Sequence, residues 1–329
     1  MSTQQPIGSG FTAYSTTADV IDGIDLTGRT AIVTGGYSGL GLETVRSFRA
    51  AGADVIVPAR DTARASRQLA GIDGVVVNEL DLLDPVSIDA FADRFLGSGR
   101  ALDLLVNSAG IMATPLARDA RGFESQFATN HLGHFQLTTR LLPALRAAQG
   151  ARVVAVSSRG HRYSPVVFDD PNFEHREYAP YAAYGQSKTA NVLFAVELDA
   201  RERDHGVRAF AVHPGSIMTN LAQSADREVL RQGGFLDDDF QPIIDPSRGL
   251  KTPEQGAATQ VWCATSRQLD GLGGLYCEDV EVAEVHTGER PDTDVLALTP
   301  GAFGVLPYAI DPENARQLWQ LSDELLRSR

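Results

Sequence analysis

Apolar positions along this chain fall into short continuous runs separated by stretches with helical spacing. The first run, Thr30–Thr34 (TAIVT), ends in glycines, and Leu40–Ala51 then carries Leu, Val and Phe at helical intervals. The pattern predicts a strand, a Gly turn and a helix. It recurs, with Asp54–Ala59, Gly74–Leu80, Leu102–Asn107, Arg152–Ser157 and Val207–His213 as further strands and helical stretches between them. These runs are apolar along most of their length, as parallel strands are when helices cover both faces. The expected fold class is therefore α/β, a single doubly wound parallel sheet with an irregular C-terminal extension. Residues 1–28 form an N-terminal extension, 29–286 the sheet domain, and 287–329 a C-terminal loop and helix packing on it. Two segments break the alternation: Ser216–Arg248, rich in Gly, Pro and Asp, and Thr287–Pro312, which precedes an amphipathic helix from about Glu313 to Leu326. The first of these, residues 216–250, is the expected substrate loop.

Composition narrows the function. A chain that is 43% hydrophobic and 22% charged is an ordinary globular protein, long enough for a full core. The net charge of -13 argues against nucleic-acid partners, because no basic stripe is available to neutralise phosphates. Cys263 and Cys277 have no metal-binding spacing and are expected to be reduced and packed. The first 28 residues lack the basic and apolar regions of a signal peptide, and no apolar run reaches the ~18 residues of a membrane span. A cytoplasmic location is the expectation. The acidic run Asp237–Asp239 lacks metal-loop spacing and reads as a solvated loop, so no metal is expected. Only Lys188 and Lys251 are lysines among 29 basic residues, so a retained lysine marks a place that needs a compact ammonium.

The chemistry begins at the first turn. Thr34-Gly35-Gly36-Tyr37-Ser38-Gly39-Leu40-Gly41 closes a strand and opens a helix, where glycines let backbone approach a pyrophosphate and the helix N-terminus favours its charge. Its spacing, T-G-x-x-x-G-x-G, resembles the fingerprint of the short-chain dehydrogenase/reductase family. The resemblance runs from about Asp25 to Cys277 and is strongest with the retinol-dehydrogenase-like group, which includes the WW-domain oxidoreductases. It implies a Rossmann fold and a nicotinamide cofactor cradled by Gly35, Tyr37, Ser38, Gly39, Leu40 and Gly41. Asp81-Leu82 resembles the family's adenine-contacting pair. Asn107-Ser108-Ala109-Gly110 resembles its N-N-A-G motif, with Ser108 departing at the second position; a purely structural role for Asn107, bridging strands, is the alternative. At the end of the second strand, Ala59 stands where NAD-preferring relatives carry an acid and Arg60 follows as in NADP-preferring ones. NADP(H) is favoured. Asp61 leaves NAD(H) open, unless it simply caps the next helix.

Tyr184-Gly185-Gln186-Ser187-Lys188 opens a long helix running to about Arg203, and spacing of four puts phenol and ammonium on one face. A free tyrosine has a pKa near ~10, and a neighbouring cation favours its phenolate. A Tyr/Lys pair of this spacing is common by chance; its company gives it meaning. By resemblance, Ser158 hydrogen-bonds the reacting oxygen, Tyr184 is the acid/base, Lys188 lowers its pKa, and Asn130 ties a water to the lysine to complete a proton relay. Ser157 is the competing hydroxyl. A helix-interior Asn satisfied by backbone is the plainer account of Asn130. His213-Pro214-Gly215-Ser216-Ile217-Met218-Thr219 resembles the segment that covers the nicotinamide, with Pro214, Gly215, Ile217 and Thr219 as contacts, Ile217 through its backbone. His131, His134 and His213 receive no catalytic role. His161, three residues beyond Ser158, lines the substrate pocket or packs in its loop.

These residues together predict hydride transfer between a nicotinamide and a carbonyl/alcohol pair. Met112, His161, Met218 and Leu221, with the late loops around Phe303 and Leu306, suggest an apolar pocket for a lipophilic ketone, aldehyde or alcohol. An enone C=C reductase and a dinucleotide-binding sensor without chemistry are the alternatives; retention of Asn130, Ser158, Tyr184 and Lys188 together favours an enzyme. Relatives pair through the helices after Gly122 and before His205, which makes a homodimer or homotetramer the expectation.

Overall fold

The computed structural model describes residues 3–218, 227–287 and 304–328. Thr219, Leu221 and Phe303 lie outside them. In chain order the elements are α1 (Thr17–Ile21), β1 (Thr30–Val33), α2 (Gly39–Ala50), β2 (Asp54–Ala59), α3 (Thr62–Gln68), β3 (Val75–Glu79), α4 (Pro85–Gly97), β4 (Leu104–Asn107), α5 (Ser125–Phe127), α6 (Gly133–Ala147), β5 (Arg152–Val156), α7 (Pro180–Glu202), β6 (Arg208–His213), α8 (Arg227–Gln232), α9 (Pro253–Thr265), β7 (Leu275–Glu278), β8 (Glu281–Val282) and α10 (Pro312–Arg327). The strands form one sheet in the order β3-β2-β1-β4-β5-β6-β7-β8, parallel except for the short antiparallel β8. All six expected strands are present. β7 and β8 went unforeseen because four residues ending in Glu278 are too short a run to show a period.

Alternation along each strand explains the unbroken apolar runs. Ala31, Val33, Val55, Val57, Val154 and Val156 join a core under α2 and α9, whereas Ile32, Ile56, Leu105, Val153 and Ala155 join one under α4, α6 and α7. Both faces are dry. The sequence of strands reverses direction between β1 and β4, which opens a crevice at their carboxyl ends, the place where doubly wound sheets bind ligands.

Both chain extensions are fastened to this core. The Gln4 side chain pairs with the Tyr276 backbone and donates to Ala283 O, and Glu281 accepts from Ile7 N and Ser9 N, so the N-terminal segment lines the β7–β8 edge. At the other end α10 lies on α7, with Trp319 stacked on Phe194 (6.1 Å, 11°), edge-on to Phe135 (4.8 Å) and beneath the Arg201 guanidinium (4.6 Å). This packing is local to one chain. It does not bear on the subunit pairing expected at these helices, and the chain's own α10 covers part of α7.

Other expectations have plain outcomes. Cys263 and Cys277 are free thiols, both buried. Asp237 closes its own turn by accepting from Asp239 N and Gln241 N, and the run Asp237–Asp239 is exposed. Among the described residues no helix is long and apolar enough to cross a membrane, and no cluster of His, Cys, Asp and Glu could hold a metal.

Candidate active site

The glycine turn expected to hold a phosphate sits in the β1–β4 crevice. Gly35 has φ +68, and a Cβ there would lie 3.1 Å from Ala109 Cα, so β1 and the turn after β4 approach as closely as backbone allows. Gly41 is tighter, for a Cβ would stand 2.5 Å from Gly35 O. Tyr37, Ser38, Gly39 and Leu40 are half-buried around the start of α2, and Ser38, the N-cap, makes no side-chain cap hydrogen bond. The first amides of α2 and the Ser38 hydroxyl are thus left for an anion, which fits a pyrophosphate.

The residues expected on the adenosine side lie along β2 and β3. Arg60 is exposed at the end of β2, and the carboxylate of Asp61 beside it accepts from Arg64 N (2.8 Å) as the N-cap of α3. Asp81 is braced by Ser87 Oγ on its own amide and accepts from Leu83 N. Leu82 packs on α6, where only glycine fits at position 133. Asn107 donates to Thr138 Oγ1 (3.0 Å), tying β4 to α6, the structural role open to it from the start.

Tyr184 lies in the second turn of α7 rather than at its start, because the helix begins at Pro180, whose missing N–H suits an N1 position. Nearly every residue from Ala183 to Asp199 is buried, so the helix is enclosed on all sides. Within it, the Ser158 hydroxyl hydrogen-bonds the Tyr184 phenol, and Gly160 N donates to Ser158 Oγ (2.9 Å), which leaves the serine proton to point into the site. Ser157, the rival hydroxyl, instead donates to Lys188 O (2.7 Å). Lys188 Nζ donates to Val156 O (3.0 Å) and lies 5.6 Å from the Tyr184 ring centroid.

Burial dominates the electrostatics. It pushes the Tyr184 phenol up to about 12 against the opposing effect of the Ser158 hydrogen bond, and it pulls Lys188 down to about 8. A phenol held neutral is a proton donor. Burial, not Lys188, sets the direction at Tyr184 in the resting protein.

The residues between tyrosine and lysine each hold something. A Cβ at Gly185 would lie 2.8 Å from Gly160 O, so that turn presses on α7 without space for a side chain. Gln186 donates to Pro171 O and accepts from Val167 N and Arg176, fastening the insertion between Ser158 and Tyr184. Ser187 accepts from Asn130 Nδ2 (2.9 Å) and donates to Tyr184 O (2.7 Å). Asn130 itself lies in a π-helical turn, 128–132, and its side chain also exchanges both hydrogen bonds with the Ile111 backbone. Its amide is fully used, so any water it ties would meet its backbone oxygen.

The covering segment follows β6. Gly215, at φ +100, passes over the Lys251 side chain, which is buried and paired with Asp279 at 2.5 Å. Ile217 turns its side chain toward Gly256, beside Leu40, with Pro214 buried before it. His213 Nδ1 accepts from Arg159 N and Gly215 N, linking this segment to the serine loop.

The substrate residues are less uniform. Met112 and Met218 are half-buried near the crevice, and Ala113 N is fixed by Gln126 Oε1 (2.7 Å). His161 is different. It is 0% exposed, with Nδ1 donating to Ser158 O (2.8 Å) and Nε2 accepting from Leu306 N (3.3 Å), so it lies beneath the serine loop rather than on a pocket wall. Leu306 is likewise buried. Sequence reasoning missed Thr34, His134 and Ser187 as parts of the site; the only signal was their position inside the motifs already singled out.

Comparison with known proteins agrees with this geometry. The family model described as short chain dehydrogenase matches residues 29–229. The chain is 45% identical over 312 residues to a "Probable oxidoreductase" of Streptomyces antibioticus, covering 93% of this chain and 100% of that one. It is 35% identical to human "Retinol dehydrogenase 12", covering 93% and 89%. Among solved structures, an uncharacterised protein from Mycobacterium paratuberculosis superposes with a TM-score of 0.70 at 34% identity, covering 95% of this chain and 97% of that one. A sheet that reverses at β1–β4, a phosphate turn there and a Ser–Tyr–Lys constellation beside it therefore belong to a short-chain dehydrogenase of the retinol-dehydrogenase-like group, an NAD(P)-dependent oxidoreductase.

Proposed function

We infer that the protein interconverts a lipophilic carbonyl compound and the corresponding alcohol. The observation that carries this is the Ser158–Tyr184 hydrogen bond, with the phenol held protonated and Lys188 behind it. In reduction, Ser158 holds the carbonyl oxygen and Tyr184 gives it a proton; in oxidation, Tyr184 takes the proton of the alcohol. A nicotinamide held by the glycine turn and the segment after β6 would supply or accept the hydride. Lys188 and the Asn130 backbone oxygen, bridged by water, return the proton from solvent. NADP(H) is the favoured cofactor, because exposed Arg60 has no carboxylate partner among the described residues and Asp61 is occupied as a cap. Half-buried Met112 and Met218, and relatives named retinol dehydrogenases, support a lipophilic substrate.

The test is a panel of carbonyls and alcohols with NADPH, NADH and their oxidised forms, followed by absorbance of the reduced nicotinamide. Tyr184→Phe is expected to lower kcat by about 10²–10⁴-fold while nucleotide affinity stays nearly unchanged. Retained turnover in that variant refutes the acid/base role. Tight nucleotide binding without turnover on any member of the panel points instead to a sensor.

A further inference from the structure

Thr34 closes β1 and His134 lies in the first turn of α6, yet their side chains meet. Thr34 Oγ1 is 2.9 Å from His134 Nε2, and His134 Nδ1 is 3.0 Å from the backbone oxygen of Asn130. Chemistry fixes every proton in this unit. A carbonyl only accepts, so Nδ1 carries the hydrogen. Burial keeps the ring neutral, pulling its pKa down to about 4, so Nε2 is bare and the Thr34 hydroxyl must donate to it. The Thr34 oxygen then accepts from Ser108 N (2.9 Å) and Ala109 N (3.0 Å). Thr34, His134 and Asn130 are each under 4% exposed, so water does not compete for these bonds.

The ring therefore touches two machines at once. Its Nε2 side leads through Thr34 to the joint between the phosphate turn and the Ser108–Ala109 amides, where Gly35 and Ala109 are in closest approach. Its Nδ1 side holds the oxygen of Asn130, whose side chain grips Ile111 and, through Ser187, the Tyr184 backbone oxygen. A continuous path of hydrogen bonds runs from the dinucleotide turn to the catalytic helix. His134 is its middle link.

We propose that His134 is a positioning residue that sets nucleotide affinity through Thr34 on one edge of its ring and proton-relay geometry through the Asn130 oxygen on the other. This rests on the oxidoreductase reading of the site. Two amide side chains separate the edges, because the nitrogen of Asn can stand in for Nδ1–H and the oxygen of Gln for bare Nε2. His134→Asn keeps the donor to Asn130 O and leaves the Thr34 hydroxyl only the long contact to Val106 O (3.5 Å) in place of the 2.9 Å bond. His134→Gln keeps that acceptor and removes the donor.

The experiment is calorimetric titration of NADPH and NADH into each variant, alongside kcat with the best substrate of the panel and a thermal melt. His134→Asn is expected to weaken nucleotide binding about tenfold with kcat within a few fold, the size of one short buried hydrogen bond exchanged for a long one. Thr34→Val also takes the acceptor from the Ser108 and Ala109 amides and should weaken nucleotide binding further than His134→Asn does. His134→Gln is expected to bind nucleotide within about twofold and to lose about tenfold in kcat. Identical behaviour of the two His134 variants, or the opposite crossing, overturns the proposal. An inactive parent chain refutes the oxidoreductase reading instead, and the contrast in nucleotide affinity between the two variants still decides the Thr34 edge.

Discussion

Replacing Lys188 with methionine should make the protein more stable at neutral pH while abolishing turnover. The folded chain holds this amine at about 8 against 10.5 for an ordinary lysine, and burial is the cause. Over that interval, at about 1.4 kcal/mol per pH unit, the protonated lysine costs the folded state about 3 kcal/mol. Against this stands the hydrogen bond from Nζ to Val156 O, worth about 1 kcal/mol. Its loss strands no acceptor, because Asn191 Nδ2 also donates to Val156 O at 3.0 Å. Methionine fills nearly the same volume, so the net gain expected is about 2 kcal/mol at pH 7. The pH dependence identifies the cause. Between about pH 8 and 10.5 the unfolded chain binds the proton that the folded chain has released, so the parent gains stability with rising pH. Below that window the penalty is constant, and above it none remains. Urea unfolding of parent and Lys188→Met from pH 7 to 10.5 should therefore show a gap that is largest at pH 7 and closes, then reverses slightly, toward pH 10.5. Tyr184 titrates in both chains and cancels in the difference. A variant less stable than the parent at pH 7, or a gap indifferent to pH, refutes the argument that burial of the charged amine is what the fold tolerates here.

Three further outcomes follow from the structure. Arg60→Ala should weaken NADP(H) binding by about tenfold or more and leave NAD(H) affinity unaltered, as measured by calorimetry; equal losses would remove the 2′-phosphate role. Gly41→Ala puts a methyl 2.5 Å from Gly35 O, so nucleotide binding should fall below detection while the far-UV circular dichroism of the rest of the fold persists. Trp319→Ala removes the side chain wedged between Phe135, Phe194 and Arg201 and should cost about 3–5 kcal/mol in urea unfolding, with α10 the first region to lose hydrogen-exchange protection.

The strands were legible because each is a dry run of β-branched and small residues with turn signals at both ends, and because helices on both faces remove the ambiguity of a half-polar pattern. Six of the eight could be placed in the sequence for this reason. β7 could not, since its identity comes from pairing with β6 and from Gln4, which lies more than 270 residues away and donates to Tyr276 O. Tyr184, Lys188 and Ser158 were legible as a spacing, a scarcity and a strand end. Their protonation states were not. Those depend on an enclosure in which Gly160 and Tyr163, in the turn after Ser158, press on Tyr184 and Gly185, and this leaves no local pattern at Tyr184 itself.

The histidines show why a motif search stops short. The stretch Asn130–His131–Leu132–Gly133–His134 carries no metal spacing, and on that ground both histidines had seemed idle. Both rings are buried and neutral, with pKa values drawn down to about 3 and about 4 by desolvation, so each is an oriented pair of donor and acceptor rather than a base. His131 donates through Nε2 to Ser322 Oγ at 2.8 Å, because the Ser322 proton is already given to Leu318 O, and so the π turn is held from the C-terminal helix. His134 holds the same turn from β1. A π turn widens the helix by one residue, and here two buried histidine side chains hold it, one to the C-terminal helix and one to the residue after β1. The turn that carries Asn130 is thereby fixed between the nucleotide side of the sheet and the extension beyond it. Such fixing is what a relay needs, since a carbonyl displaced by about 1 Å no longer sits within hydrogen-bond reach of the water it must hold.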